Sequence, residues 1–281
     1  MQPNEFTRML SVYRPPLVFE LTGRKFTLAF DDGYGRELCF RDRGTLSFGP
    51  AGEEKEYAYE CLKAADRCYF VNFEDPAERP RLGITLVLDL AQDLVTMVLA
   101  RTGVNPKIPG MPSTDYVFGA VVREDGSVSE LRHGYTADLA GTSVSWNYGR
   151  FEIAHVYATE RYYRVSFTPR GLARAFRGRP ELSRGTVRRT PSPDDVYEDY
   201  LTVIRIRDRI YLAGLLETVK ARVLGYGNSI LVLMDLDGMH DVGRSFGSND
   251  EGGTGNNTFG AFGVLHDARA ALAKKSTLWT R

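Results

Sequence analysis

One histidine in this chain lies between an isoleucine and a tyrosine on what reads as a single face of a β-strand. In Phe151-Glu152-Ile153-Ala154-His155-Val156-Tyr157, alternation puts Phe151, Ile153, His155 and Tyr157 together. In the run that follows, Arg161 to Phe167, Tyr163, Val165 and Phe167 share one face. An imidazole titrates near neutrality, so His155 is the candidate general acid or base. Glu217 is its candidate partner, because partial burial among aromatic groups raises a carboxyl pKa and suits it to proton donation. Tyr157 and Tyr163 can donate hydrogen bonds to an enolate or phenolate oxygen as charge develops. The set fits proton transfer without a cofactor: isomerisation, dehydration, decarboxylation or cyclisation of a preorganised substrate. Plainer readings stand beside it. A histidine on an apolar face is often a hydrogen-bonded core residue, aromatic stripes at strand spacing are ordinary core, and Glu217 also reads as a solvated strand end.

These groups need a wall to hold them. Val144, Trp146 and Tyr148 alternate with Ser143, Ser145 and Asn147, so the large set should point inward. Trp146, Tyr148, Phe151, Ile153, Val165 and Phe167 are therefore the expected ligand-binding lining. A barrel of about eight strands can be filled by its own side chains or hold one small ligand. Aromatic walls with few polar tips suit a small hydrophobic or aromatic molecule.

Composition narrows the alternatives. Over 281 residues, 36 basic and 36 acidic side chains cancel, which removes any global pull toward nucleic acid or anionic membrane. Hydrophobic content of 43% with 15 Phe and 15 Tyr is globular and rich in strand formers. Cys39, Cys61 and Cys68 make an odd number without a C-x-x-C pair, which points to reduced thiols and a cytoplasmic setting. The start of the chain lacks a basic segment followed by an apolar run, and no apolar run approaches membrane-spanning length. His133, His240 and His266 show no metal-ligand spacing, so neither metal nor cofactor is expected. Gly33-Tyr34-Gly35 sits in a hairpin, and Gly252-Gly253-Thr254-Gly255 lacks the Lys-Ser/Thr of a phosphate-binding loop. A homodimer is a candidate assembly.

The chain alternates short β-rich runs with turns: Phe26–Phe30, Glu37–Arg41, Glu56–Leu62, Cys68–Phe73, Ile84–Leu90 and Leu94–Ala100. Short terminal helices are expected over residues 4–10 and Ala268–Lys275. The second half repeats the first. Leu21-x-Gly23-x-x-Phe26-x-Leu28-x-Phe30 matches Leu139-x-Gly141-x-x-Val144-x-Trp146-x-Tyr148. The Arg67–Phe73 run resembles Arg161–Phe167, and Ile84–Leu90 resembles Ile230–Leu236. Thr102 to Pro112, with three prolines and two glycines, reads as the linker between residues 1–110 and 111–281. The arginine-rich stretch between Thr168 and Glu198 is either a solvated loop or a lid that attracts an anion.

The repeated pattern, His155-Val156-Tyr157, Arg161-Tyr162-Tyr163, Tyr211-Leu212 leading to Glu217, and Gly243-Arg244-Ser245-Phe246-Gly247 together resemble the MoaF family. The family takes its name from molybdenum cofactor biosynthesis protein F. The resemblance implies an all-β chain of two tandem calycin/lipocalin-like antiparallel β-barrels. Three departures from the family pattern leave ligand and chemistry open. Ala154 stands where the family's Glu-His-Ile-Tyr motif has glutamate, and Leu215-Leu216-Glu217-Thr218 replaces Trp-Arg-Glu-Lys. The arginine-rich stretch stands in place of an Asp-rich one. Barrels of this kind host cofactor-free lyase, isomerase and cyclase chemistry on aromatic, polyketide-like or terpenoid-like molecules. The alternatives are a non-catalytic binding protein or an accessory protein of molybdopterin metabolism.

Overall fold

The computed structural model describes residues 11–103, 105, 111–149, 152–167, 197–218, 227–248, 254–268, 272 and 278–279. These divide into two compact units, one of Pro15–Gly134 with Arg205–Asp208, the other of Met1–Arg14, Tyr135–Ile204 and Arg209–Arg281. Both are closed antiparallel barrels of eight strands, as expected.

The first unit contains β1 (Lys25–Phe30), β2 (Gly35–Phe40), β3 (Thr45–Gly49), β4 (Lys55–Ala65), β5 (Cys68–Asp75), β6 (Leu82–Asp89), β7 (Leu94–Arg101) and β8 (Ser113–Val121). They pair in chain order, and β8 returns to β1 through Leu28 opposite Val121. Thr102 to Pro112 thus joins β7 to β8, and the first barrel takes its closing strand from beyond residue 110. Its interior is apolar, filled by Leu28, Leu38, Phe40, Leu46, Val71, Leu86 and Val95 among others.

The two-residue β9 (Gly134–Tyr135), whose Tyr135 begins the second unit's stretch, pairs with β13. The barrel itself is β10 (Thr142–Asn147), β11 (Glu152–Tyr157), β12 (Tyr162–Phe167), β13 (Tyr197–Arg207), β14 (Ile210–Leu216), β15 (Asn228–Asp235), β16 (His240–Ser248) and β17 (Thr254–Asp267). A short β18 (Leu278–Trp279) runs parallel to β13. The pairing of β12 with β13 and of β10 with β17 closes the ring. The segment expected to be helical at the N-terminus lies outside the described residues, as does most of the C-terminal one. There the Leu272 amide donates to the Ala268 carbonyl at 2.8 Å. Among the described residues no helix is long and apolar enough to cross a membrane.

The two barrels share their latches. In each, a glycine with positive φ precedes the first strand, Gly23 at 81° and Gly141 at 84°, a conformation open to residues without a Cβ. The Gly23 amide donates to the Phe40 carbonyl and the Gly141 amide to the Tyr157 carbonyl. Arg67 and Arg209 both adopt left-handed turns, and their carbonyls accept from Leu90 and Leu236. Asp93 and Met239 do the same for Val121 and Gly263. These bonds align β1 with β10, β2 with β11, and so on to β8 with β17. The repeats starting at Leu21 and Ile84 therefore fall on equivalent strands. The third match does not: Arg67–Phe73 forms the fifth strand of its barrel and Arg161–Phe167 the third of its own. The structural partner of Arg67 is Arg209. Short β-strands carry too little pattern to separate two such aromatic runs, and the latches decide the register.

Candidate functional site

Residues directly opposite in an antiparallel ladder share a face, so register shows what the second barrel encloses. His155 lies between Val144 and Val165, both core residues, and is 4% exposed. It projects inward as expected, with its ring 5.6 Å from that of Tyr163 and 6.5 Å from that of Tyr157. Trp146, Tyr148, Ile153 and Val165 join the same buried core. Phe151 lies outside the described residues. Phe167 ends β12 opposite Ile153. Glu217 follows Leu215 by two residues just past the end of β14, is buried, and stands close enough to Tyr163 to raise its phenol pKa, second only to desolvation.

Two interior carboxyl groups were not expected. Asp199 faces inward opposite Tyr163 and accepts from the Thr218 hydroxyl at 2.6 Å. Asp241 lies between Met234 and Ala261 and is fully buried. It accepts from the Ala261 amide at 2.7 Å and from the Tyr148 hydroxyl at 3.3 Å. These bonds favour the carboxylate, but burial outweighs them and pushes the Asp241 carboxyl up to about 8. Asp241 is thus a protonated acid at neutral pH.

Tyr157 and Trp146 complete the deep part of the interior. The Tyr157 hydroxyl donates to the thioether sulfur of Met234 at 3.0 Å. The indole N–H of Trp146 faces that hydroxyl and stops short of a well-formed hydrogen bond. Burial raises the Tyr157 phenol above its ordinary range. The bulk of these rings is accommodated by glycine. A Cβ on Gly263 would lie 2.6 Å from the Trp146 ring, and one on Gly243 would lie 2.6 Å from Phe259.

The latches allow a position-by-position comparison with the first barrel. His155 corresponds to Leu38 and Asp241 to Val95, each fully buried. Asp199 corresponds to Tyr57 and Glu217 to Asp75, whose carboxylate accepts from Tyr57 at 3.3 Å and Lys55 at 3.4 Å. The second barrel has therefore gained a histidine and two acids where its counterpart has a leucine, a valine and a tyrosine.

The remaining histidines lie elsewhere. His133 is buried on the first unit, bonded to Thr96 at 2.7 Å and 4.0 Å from Asp89. Thr96 and Asp89 lie on the outward face of their strands. His240 is 4.0 Å from Asp235, and His266 is exposed. Among the described residues no three or more His, Cys, Asp or Glu side chains cluster in a way that could hold a metal. A surface groove of about 370 Å³ runs between Tyr135–Ala137, the Glu160–Arg161 turn and Leu201–Val203. The arginine-rich stretch falls almost wholly outside the described residues.

All-β closed barrels with a polar-tipped aromatic interior define the class of protein. Residues 4–103 match the family model of the MoaF N-terminal domain, in agreement with the resemblance carried by the sequence motifs. The matched segment covers β1 to β7 of the first barrel. No curated protein matches the chain. The domain and the barrel fold are consistent with a small-molecule-binding or molybdenum-cofactor-related role.

Proposed function

We propose that the second barrel carries out cofactor-independent proton transfer on an apolar small molecule, as a lyase, isomerase or cyclase for an aromatic, polyketide-like or terpenoid-like substrate. The observation that carries this reading is Asp241: a fully buried carboxyl, protonated at neutral pH, in the same closed interior as His155. A carboxyl group that holds its proton and an imidazole inside one apolar enclosure are the two kinds of group that general acid–base catalysis uses. In this scheme His155 removes a proton and Asp241 delivers one, with Tyr148 holding the Asp241 carboxyl in place. Tyr157 and Tyr163 donate to the oxygen on which charge accumulates, and Glu217 orients the histidine. A reducing, cytoplasmic setting fits the three buried cysteines Cys39, Cys61 and Cys68, none of which is in a disulfide.

A panel assay tests this without the natural substrate. Candidate apolar ketones and phenols are incubated with the protein in deuterium oxide, and label uptake at carbon is followed by NMR. Uptake that disappears in both His155→Leu and Asp241→Asn supports catalysis. Ligand binding without uptake in any candidate, unchanged in both variants, leaves the non-catalytic binding role and refutes the enzymatic one.

A further inference from the structure

Two hydrogen-bond donors deep in the second barrel lack a proper acceptor. The Trp146 indole N–H is fully buried and faces the Tyr157 hydroxyl oxygen without a well-formed hydrogen bond to it. The Tyr157 hydroxyl, also fully buried, donates to the sulfur of Met234 at 3.0 Å, a weak acceptor. The two groups face each other, and a buried N–H left without a well-formed hydrogen bond carries its full desolvation cost. Native interiors seldom leave such groups unpaired, and each instance calls for a specific cause. One acceptor oxygen placed between them would satisfy both and return Met234 to apolar packing.

We propose that Trp146 and Tyr157 form a two-donor seat for the neutral carbonyl oxygen of the ligand. The proposal rests on the reading of the second barrel as a ligand site and names the class of compound it takes: an apolar ketone or related carbonyl compound, not a carboxylate or phosphate ester. Charge supports that choice. On β10, β11, β14, β15 and β16 no inward-facing residue is lysine or arginine, as the alternation of Val144–Tyr148, Ile153–Tyr157, Tyr211–Glu217, Asn228–Met234 and Asp241–Gly247 shows. The region beside Tyr157 also resists negative charge strongly enough to keep the Asp241 carboxyl protonated at neutral pH. A ligand anion would meet the same resistance. Seated between two preorganised donors, a carbonyl would be polarised toward the enolate that removal of a neighbouring proton generates.

Three probes with one apolar body test this: 2-acetylnaphthalene, naphthalene and 2-naphthoate, titrated into the full chain by calorimetry at pH 7. The ketone is expected to bind about threefold to tenfold more tightly than naphthalene, the size of one net hydrogen bond, with naphthoate weakest. The carbonyl stretch of the bound ketone should move to lower wavenumber, a signature that packing alone does not produce. Trp146→Phe and Tyr157→Phe should each erase the ketone's advantage while leaving naphthalene binding within about twofold. Tyr157→Phe retains the ring and stays informative if Trp146→Phe fails to fold. Equal binding of ketone and naphthalene, or an unshifted carbonyl stretch, overturns the seat while the barrel stands as a ligand site. Naphthoate binding as tightly as the ketone overturns the choice of a neutral ligand. Failure of all three probes to bind overturns the ligand-site reading and the seat with it.

Discussion

Replacing Asp241 by asparagine should make this protein more stable at neutral pH, by an amount that grows with pH. The folded chain holds the Asp241 proton up to about pH 8, whereas an unfolded chain releases it near 3.9. The stability that this proton contributes is fully present below about pH 3.9 and is lost as pH rises to about 8. Each unit in that window costs about 1.4 kcal/mol, which accumulates to about 4 kcal/mol at pH 7. Asparagine has nearly the same shape, keeps Oδ1 for the Ala261 amide, turns its NH2 to the Tyr148 hydroxyl oxygen in place of the second carboxyl oxygen, and never ionises. All other titrating groups are common to both proteins and cancel in the difference. Urea unfolding followed by tryptophan fluorescence measures the gap, since both tryptophans, Trp146 and Trp279, belong to the second unit. The gap in favour of Asp241→Asn should be near zero at pH 4 and widen steadily to pH 7. A gap that stays constant with pH would refute the claim that burial holds this carboxyl protonated, and the proposed proton donor would be lost with it.

His155→Leu places in the second barrel the residue that the first holds at Leu38, so stability should change by no more than about 2 kcal/mol while label uptake from deuterium oxide disappears. Gly243→Ala forces a methyl against the Leu231 carbonyl and Phe259, and Gly263→Ala forces one against Trp146; each should lower thermal stability by about 1–3 kcal/mol. Cys39, Cys61 and Cys68 are all buried and outside any disulfide, and burial pushes the Cys61 thiol up to about 12. An Ellman-type reagent should therefore find no reactive thiol in the folded protein and three after urea unfolding.

Much of this arrangement can be read from strand alternation, and the exceptions have a physical cause. The aromatic residues of β10, β11 and β12 reveal the inward face, because large side chains opposite small polar ones leave one assignment that buries surface. The same rule misreads β16. There the inward positions are Asp241, Gly243, Ser245 and Gly247, while Val242, Arg244 and Phe246 face outward and are buried as well. A strand whose small and polar residues point into the core breaks the usual pattern. It does so because Phe259 occupies the space above Gly243. Asp241 thus reads as a solvated residue until its neighbours across the ladder are known. Asp199 escapes for a related reason: it adjoins Glu198, which pairs with Arg164 at 2.7 Å on the outer face, and two adjacent acids look like a surface run. β3 is not legible either, because five residues after a turn carry too little periodicity.

The matched latches have a consequence for how such a chain can change. Left-handed turns at Arg67, Asp93, Arg209 and Met239, with the amides they receive, pin strand order at one rim of each barrel independently of what the staves enclose. Mutation can then rewrite the contents of one copy while its twin keeps an apolar filling. The protein carries its own reference state, and exchanging Leu38 and Val95 with His155 and Asp241 would ask whether reactivity travels with two side chains.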